Sequence, residues 1–286
     1  MTQYQAPPAG PHTPASPGQH QSPKNKRGLV IGLVVALVVL VGAGAGLFLF
    51  VKGGDTEAPA GVDNSAFLSA SSPTERLEAA VDQTLAAGPM RVTTVTDGVE
   101  STAHVDYPQQ IVLTEMPAGP GMPAAATVLM RGGDVLIRLD SAQDGMEAGV
   151  WYRMPVEETG MGAMMASSFD AEAVRKLVSG AEDTVESGSD EINGVSATRF
   201  VVTPDKDAYI DNMFSMMGVP EDEPTLPQLR AALFEQVPNE LEYWVDDSGM
   251  LVRENDGTQV KTYSEFGEPF EVPEIDEAAV QQMPGI

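Results

Sequence analysis

The stretch that decides the fold of this chain is Leu241-Glu-Tyr-Trp-Val-Asp-Asp-Ser-Gly-Met-Leu-Val-Arg253. Its bulky and β-branched residues predict two strands, over residues 241–245 and 250–254. Asp246-Asp247-Ser248-Gly249 predicts a turn between them, because Asp and Ser can bond nearby backbone and Gly tolerates positive φ. The spacing and the final Glu of an EF-hand calcium loop are absent. The stretch therefore predicts an antiparallel hairpin.

Short β patterns of the same kind extend in both directions from this hairpin. Each ends in Gly, Pro or Asp, and Asp97-Gly98 and Asn193-Gly194 are strong signals for tight hairpin turns. The other predicted strands cover residues 92–95, 101–105, 111–114, 127–130, 135–139, 150–153, 195–202 and 259–266. Together these strands predict an antiparallel meander.

Helical patterns interrupt the meander at four places. At the first, Ser72 can cap a helix, Pro73 fits its first position and Glu75 its third, and Gly88-Pro89 ends it. The other three patterns cover residues 170–180, 205–217 and 226–237. This order of elements predicts an α+β domain with one large, strongly curved antiparallel sheet and helices against its concave face.

Residues 29–51, LVIGLVVALVVLVGAGAGLFLFV, contain no charged or polar side chain. A helix of that length spans about 35 Å, enough to cross a hydrocarbon core of about 30 Å. Lys24, Lys26 and Arg27 precede the run, whereas every Asp and Glu follows it. The positive-inside rule therefore predicts a single-pass protein of the cell membrane, with a cytoplasmic N-terminus and an extracytoplasmic main domain.

A cleaved signal peptide is the alternative interpretation of this run, because Ala43-Gly44-Ala45 resembles a cleavage site. An h-region usually has about 7–15 residues, and this run is longer. Length therefore favours a retained signal anchor, while cleavage at some stage stays open. The predicted organisation is a disordered Pro-rich leader (1–27), a transmembrane helix (28–51), a linker (52–71) and an extracytoplasmic domain (72–286).

Composition narrows the class of partner. The chain beyond Lys52 carries 42 acidic residues and 12 Lys or Arg, which are the 16 of the whole chain less Lys24, Lys26, Arg27 and Lys52, so its formal charge is −30. Such a charge repels nucleic acid and suits a soluble domain outside the cell. The chain has no cysteine, which excludes disulfides, thiol catalysis, cysteine metal sites and a lipid anchor on an N-terminal cysteine.

Three stretches together resemble a known family. Glu191-Ile-Asn-Gly-Val-Ser-Ala-Thr-Arg-Phe200 enters a strand through a turn, the hairpin at 241–253 joins Trp-Val-Asp to a Gly turn and a final Arg, and Tyr263-Ser-Glu-Phe-Gly-Glu-Pro-Phe-Glu-Val-Pro273 closes the domain. As a set they are similar to the actinobacterial LppX/LprG (LppX/LprAFG) cell-envelope lipoproteins, over roughly residues 72–273.

The resemblance implies a half-barrel like that of the LolA/LolB lipoprotein carriers, with helices packed inside it. It also implies a cavity for acyl chains of lipids or lipoglycans, and transport or chaperoning of those lipids. This chain departs from the family at its start, where a predicted transmembrane helix replaces the usual lipobox cysteine. A spanning helix does not leave the membrane, which argues against a shuttle role.

Two methionine clusters share one spacing, with Met at i, i+3 and i+4, which places three side chains on one face of a helix. Flexible Met side chains suit a surface that must fit varied apolar ligands. Ordinary core filling and a Cu(I) thioether site are alternatives. The hypothesis of a copper site is weakened because no His or Cys lies near either cluster in the sequence. The candidate cavity lining is Met161, Met164, Met165, Met213, Phe214, Met216 and Met217.

The sequence predicts no catalytic residue, metal or cofactor. His104 is the only histidine beyond the apolar run, and such a lone His is more typical of an exposed strand residue than of a catalyst. Without a second His or a Cys the hydrolase triads lack a base, and no G-x-S-x-G or phosphate-binding Gly pattern occurs. Acid pairs are expected in so acidic a chain; they are Glu157-Glu158, Glu182-Asp183, Asp190-Glu191, Glu221-Asp222-Glu223 and Asp246-Asp247.

These observations predict a membrane-anchored, extracytoplasmic binding protein for an amphipathic or acylated cell-envelope lipid. Its expected partners are lipid or lipoglycan acyl chains, the membrane through the N-terminal helix, and an envelope protein in addition. The alternative hypothesis is a module without a small ligand, whose filled core supports an acidic face that docks an envelope protein. An enzyme is disfavoured because the catalytic groups are missing.

Overall fold

Twelve strands form one open, curved sheet in the computed structural model, which describes residues 63–119, 123–155, 178, 180–216 and 225–284. The helices are α1 (Ser65–Ser69), α2 (Pro73–Ala86), α3 (Lys206–Met216) and α4 (Leu226–Phe234). The strands are β1 (Pro89–Thr96), β2 (Val99–Asp106), β3 (Ile111–Met116), β4 (Ala126–Arg131), β5 (Asp134–Leu139), β6 (Trp151–Arg153), β7 (Ala181–Ile192), β8 (Val195–Pro204), β9 (Leu241–Asp246), β10 (Leu251–Asn255), β11 (Gln259–Ser264) and β12 (Gln281–Gln282).

The strands follow the order β12-β6-β5-β4-β3-β2-β1-β11-β10-β9-β8-β7. All neighbouring pairs are antiparallel except β12 with β6. Two meanders, β1–β6 and β7–β11, are joined where β1 pairs with β11. The predicted antiparallel meander and the α+β class are therefore confirmed.

Turn chemistry explains why the hairpins form where the sequence predicts them. Asp97 and Gly98 have φ of 51° and 75°, and Asn193 and Gly194 have φ of 52° and 82°. Positive φ at both central residues is the type I′ geometry, which matches the twist of the flanking strands and is favoured by Asp-Gly and Asn-Gly.

The hairpin of β9 and β10 is fixed by Asp246. One carboxylate oxygen of Asp246 accepts hydrogen bonds from the Ser248 amide (2.9 Å), the Ser248 hydroxyl (2.6 Å) and the Met250 amide (2.8 Å). The carboxylate is thus occupied by the turn itself, as the sequence predicted.

Helix α2 is attached to this hairpin through two polar side chains. The Gln83 amide nitrogen donates to the Ser248 carbonyl at 2.6 Å, and the Thr84 hydroxyl makes the second contact. The β9–β10 register shifts between Leu251 and Arg253, which is a β-bulge. Beside the bulge, the Leu251 amide donates to the Thr84 hydroxyl at 2.8 Å, and that hydroxyl donates to the Ala80 carbonyl at 2.7 Å. The predicted start of α2 is also confirmed, since the Ser72 hydroxyl accepts from the Glu75 amide at 3.2 Å.

The sheet has two differently covered faces. We call the face that packs against α2 and α3 the inner face; its neighbours include Leu77 of α2 and Ile210 of α3, both fully buried. The outer face of β3–β6 carries Leu113, Leu129 and Leu136. It is covered by the C-terminal segment, residues 265–284, through Phe270, Val272, Ile275 and Val280.

Strand β7 was missed by the sequence analysis. Its sequence AEDTVESGSDEI holds the acid pairs Glu182-Asp183 and Asp190-Glu191, and only Thr184 and Ile192 are buried. β7 lies at the edge of the sheet, where charged side chains oppose pairing with another chain. The acidic residues that concealed the strand are therefore suited to its position.

Several predictions lie outside the described residues. They are the leader, the apolar run and most of the linker (1–62), and most of the helix predicted over 170–180, of which Val178 is helical and buried. Within 63–119, 123–155, 178, 180–216 and 225–284, no helix is both long and apolar enough to cross a membrane.

Replacing Thr84 by Val is expected to destabilise the protein by about 1–3 kcal/mol, because the buried Leu251 amide loses its acceptor. The matched control is Thr184→Val on β7, where the hydroxyl is also buried but has no hydrogen-bond partner within the described part of the chain. That change should leave stability equal or higher. Urea denaturation of the two variants measures the difference, and equal losses would contradict the role given to Thr84.

Candidate functional site

The inner face of β1–β6 is an apolar wall that contains single methionines. Met90, Met116, Met130 and Met154 are each no more than 5% exposed. Across the sheet, Met116 lies opposite Ala126. We call these four methionines, with the apolar residues between them, the methionine wall; its thioethers can repack around objects of different shape.

The sequence analysis missed these four residues because it looked for methionines at helical spacing. On a strand, successive side chains point to opposite faces, so a wall is assembled from single residues on neighbouring strands. The usable signal was therefore a Met at an inward position of each predicted strand, such as Met130 in β4.

Helix α3 packs against the same inner face. Tyr209, Ile210 and Phe214 are buried there, and Met213 is half-buried against the same core. Phe214 and Met213 are thus brought to the inner face, as the cavity prediction requires. Met216 is the last residue of α3, and Met161, Met164, Met165 and Met217 lie outside the described residues. The role of the two methionine clusters stays a prediction.

A polar cluster interrupts the inner face beside this wall. The Lys261 ammonium lies 2.5 Å from one carboxylate oxygen of Glu254, and the Tyr263 hydroxyl donates to the other at 3.0 Å. Strand register causes the contact, since Glu254 and Lys261 are directly opposite on β10 and β11. The Lys261 side chain is 11% exposed and that of Glu254 is 22% exposed.

The cluster keeps its charges and its neutral hydroxyls because of its surroundings. Burial alone would lower the pKa of Lys261, but Glu254, with Asp256 and Tyr107, outweighs it and holds that pKa above its usual value. Burial raises the pKa of Tyr209, Tyr243 and Tyr263, and the charge of Glu254 adds to each effect. Burial also raises the pKa of Tyr107, although Lys261 opposes it. At neutral pH the cluster is therefore an ammonium–carboxylate pair among four phenols.

The Thr94 hydroxyl, beside this cluster, is without a partner among the described residues, as is that of Thr96. Thr94 lies directly opposite Lys261 on β1 and is 2% exposed. Its Oγ1 makes no hydrogen bond to any atom of the part of the chain that the structure describes. Half-buried Lys261 and Glu254 and buried Thr94 thus form a polar patch next to the methionine wall.

The residues of the three stretches that carry the family resemblance lie on both faces. Phe200 and Tyr263 belong to the main core, whereas Arg199, Trp244 and Arg253 lie on the outer face. Arg199 and Arg253 lie over the Trp244 ring, with guanidinium carbons 5.8 Å and 5.0 Å from its centroid. Trp244 is opposite both residues in the register of β8, β9 and β10. Arg199 also pairs with Glu242. These residues align three strands and are not part of the inner-face site.

His104 lies at a cavity of about 340 Å³ between the outer face and the C-terminal segment. It is half-buried on β2, not exposed as predicted, because its ring stacks on Phe270 with centroids 5.2 Å apart. Arg91 pairs with Glu265 there at 3.1 Å. The carboxylates lining this cavity are Glu115, Glu265, Glu268 and Glu271. Such a lining suits an acyl chain poorly, so the inner face is the better candidate for an apolar ligand.

The described residues bring together no group of three His, Asp or Glu side chains that could hold a metal ion. The absence of a metal and of a cofactor stays a prediction.

No family model and no curated protein matches this chain. Among solved structures, it is similar to LprF from Mycobacterium bovis, with 16% identity and a TM-score of 0.45, covering 71% of this chain and 96% of that one. It is also similar to the Mycobacterium tuberculosis lipoprotein LppX, with 15% identity and a TM-score of 0.43, covering 69% and 98%. A LolA superfamily protein from Nitrosomonas europaea has 11% identity and a TM-score of 0.24, covering 71% and 96%.

Because the identities are 16% or lower and the TM-scores are below 0.5, we take the case for a function from the residues of this chain.

The unfolding free energy is expected to fall as the pH rises above about 10. The unfolded chain then releases its tyrosine and lysine protons while the folded cluster keeps them, so folding loses about 1.4 kcal/mol per pH unit for each such group. Lys261 acts in the same direction, since its stabilisation is complete below its unfolded pKa and is lost through its raised folded pKa.

Tyr263→Phe should reduce this alkaline slope by the contribution of one group, whereas Tyr4→Phe in the predicted leader should leave it unchanged. Guanidinium denaturation at a series of pH values measures both slopes. The same slope in all three proteins would show that Tyr263 titrates normally.

Proposed function

We propose that this chain is a membrane-anchored extracytoplasmic binding protein for an amphipathic or acylated cell-envelope lipid, acting in lipid transport or chaperoning. The observation that carries the proposal is the pairing, on one face of the sheet, of an apolar methionine wall with a compact polar patch. An amphipathic molecule has two matching parts, an apolar chain and a polar group at its end.

The apolar part would supply most of the affinity. Burying an acyl chain contributes about 0.8 kcal/mol per methylene, so about ten buried methylenes give a gross gain of about 8 kcal/mol before the cost of ordering the chain. Methionines suit this task because thioether side chains adapt to chains of different length. Selectivity would then depend on the volume of the site and on its few polar groups.

We propose that the ligand lies between the sheet and helix α3. In this arrangement the curved sheet acts as a half-barrel with helices on its concave face, and Met213 and Phe214 of α3 contact the chain. Both residues belong to the inner-face core. The remaining predicted lining residues, Met161, Met164, Met165, Met216 and Met217, would complete the site.

The apolar run at residues 29–51 would hold this domain at the outer surface of the cell membrane, with the N-terminus in the cytoplasm. The linker predicted over 52–71 is shorter than those bounds, because residues 65–69 form α1 and Phe67 is buried in the core. The part before α1 would keep the domain near the bilayer. A protein held in this way would receive or present its ligand locally, because a spanning helix does not leave the membrane.

The second candidate function is an envelope protein-interaction module without a small ligand. It is favoured by helix α4, which has no buried residue and leaves Leu229 40% and Phe234 39% exposed. It is also favoured by the methionine wall, whose side chains already have almost no exposed area. In this case the wall is ordinary core and α4 is a contact surface.

Native mass spectrometry of the full-length chain, purified from the membranes of its own host in mild detergent and then extracted with organic solvent, tests the proposal. We expect a co-purifying lipid and, after delipidation, uptake of an added palmitoyl lipid. A clean apo mass with no uptake would reject lipid binding and favour the interaction module.

Met213→Lys is expected to weaken binding of a fluorescent monoacylglycerol at least about tenfold, because it places a charge beside the acyl chain. Met213 is half-buried, so the fold should survive the change. The control is Leu68→Lys, at a side chain that is 68% exposed on α1. Fluorescence titration and melting temperature are measured on both variants, and an equal affinity in both folded proteins would remove Met213 from the site.

A further inference from the structure

The inference starts from the unpartnered hydroxyl of Thr94 and rests on the proposed function. Thr94 is 2% exposed, and its Oγ1 has no hydrogen-bond partner among the described residues. A buried hydroxyl without a partner destabilises a folded protein, whereas Val has nearly the same shape and no such cost. Folding alone therefore does not require a threonine at this position. Thr96 and Thr184 also have buried Oγ1 atoms without a partner among the described residues, so it is the setting of Thr94 that distinguishes it.

The position of Thr94 gives it a polar setting. It lies opposite Lys261 in the β1–β11 register, and Lys261 in turn lies opposite Glu254. The Lys261 ammonium has three donors, and Glu254 takes one of them at 2.5 Å. Within one small area of the inner face there are thus a cationic donor, a carboxylate acceptor and a hydroxyl that can both donate and accept.

The apolar part of the inner face begins immediately beside this patch. Val92 is two residues before Thr94 on β1 and points to the same side, opposite Ala103 of β2 and Tyr263 of β11. Met90, two residues before Val92, points to the same face of the strand. A ligand whose polar group sits at Thr94 would therefore have its chain directed along β1 and β2 to the methionine wall.

We propose that Thr94, Lys261 and Glu254 form a polar subsite for an uncharged, hydroxyl-bearing group, such as the glycerol or glycosyl part of an acylated lipid. A ligand hydroxyl can accept from Lys261, donate to Glu254 and bond the free Thr94 hydroxyl. Each of these hydrogen bonds uses a donor or acceptor of the patch. An apolar chain could not bond to these groups.

Charge excludes the anionic alternatives. One cation, Lys261, is already matched by Glu254, and Asp256 adds a second negative charge that acts on Lys261. A phosphate or carboxylate at Thr94 would enter a poorly solvated site that carries a net negative charge. The subsite therefore favours neutral lipids over phospholipids and free fatty acids of the same chain length.

The experiment compares two matched substitutions in the full-length chain. Thr94→Val removes the proposed contact. Thr184→Val makes the same change at a hydroxyl that is also buried and unpartnered among the described residues, but which lies on β7, four strands from Lys261 in the sheet order. Native mass spectrometry gives the bound fraction of three lipids with the same acyl chain: monopalmitoylglycerol, methyl palmitate and palmitoyl lysophosphatidate.

The unmodified protein is expected to prefer monopalmitoylglycerol over both other lipids. Thr94→Val should weaken monopalmitoylglycerol binding by about tenfold, the effect of one buried hydrogen bond, and leave methyl palmitate unchanged. Its melting temperature without ligand should be equal or higher. Thr184→Val should bind all three lipids as the unmodified protein does.

Every other result contradicts one specific part of the proposal. Equal binding of monopalmitoylglycerol and methyl palmitate, unaffected by Thr94→Val, would reject the subsite and leave acyl-chain binding standing. Preference for the lysophosphatidate would reject the uncharged class. Binding of none of the three lipids would reject the proposed function together with the subsite. Equal losses in both valine variants would show a general effect of the substitution and remove Thr94 from the site.

Discussion

The pairing of β1 with β11 is the constraint on which the rest of the structure depends. These strands lie far apart in sequence, and their register, from Arg91 opposite Ser264 to Thr96 opposite Gln259, joins the two meanders into one sheet. The same register sets Thr94 opposite Lys261. Because side chains alternate between faces, a slip of one residue in this ladder would place Thr94 and Lys261 on opposite faces. Glu254 would stay opposite Lys261, since the β10–β11 pairing sets that contact. One backbone ladder therefore determines both the continuity of the sheet and the composition of the inner face.

The two faces of the sheet have different tasks. The outer face holds strands in register through Arg199, Trp244 and Arg253, and the C-terminal segment covers the leucines of β3–β5. Arg199, Trp244 and Arg253, which belong to the stretches that carry the sequence resemblance, therefore maintain the sheet. The inner face carries methionines and the polar cluster. Its side chains are not needed to hold the strands in register, so they can be suited to a ligand.

Local chemistry explains which parts could be predicted from the sequence. Asp97-Gly98, Asn193-Gly194 and the capped start at Ser72 were correct because turns and helix caps depend on neighbouring residues. β7 was missed because its acidic residues reflect an edge position, and the C-terminal segment because its apolar residues need the outer face to pack against. The role of Phe214 as a lining residue stays a prediction. Glu254 and Lys261 face each other within the β10–β11 hairpin, whereas Thr94 is brought to them by the long-range pairing of β1 with β11.

The polar patch is difficult to explain by stability alone. A buried ion pair recovers its desolvation cost only with good geometry and further hydrogen bonds, and apolar residues of similar size are often at least as stable. Glu254 is well compensated, since it accepts from both Lys261 and Tyr263. Thr94, next to this pair, has no such compensation within the described part of the chain. A site that satisfies its charges and leaves one hydroxyl open is what recognition of a neutral polar group requires, whereas a patch that only fixed the strand register would need no open hydroxyl.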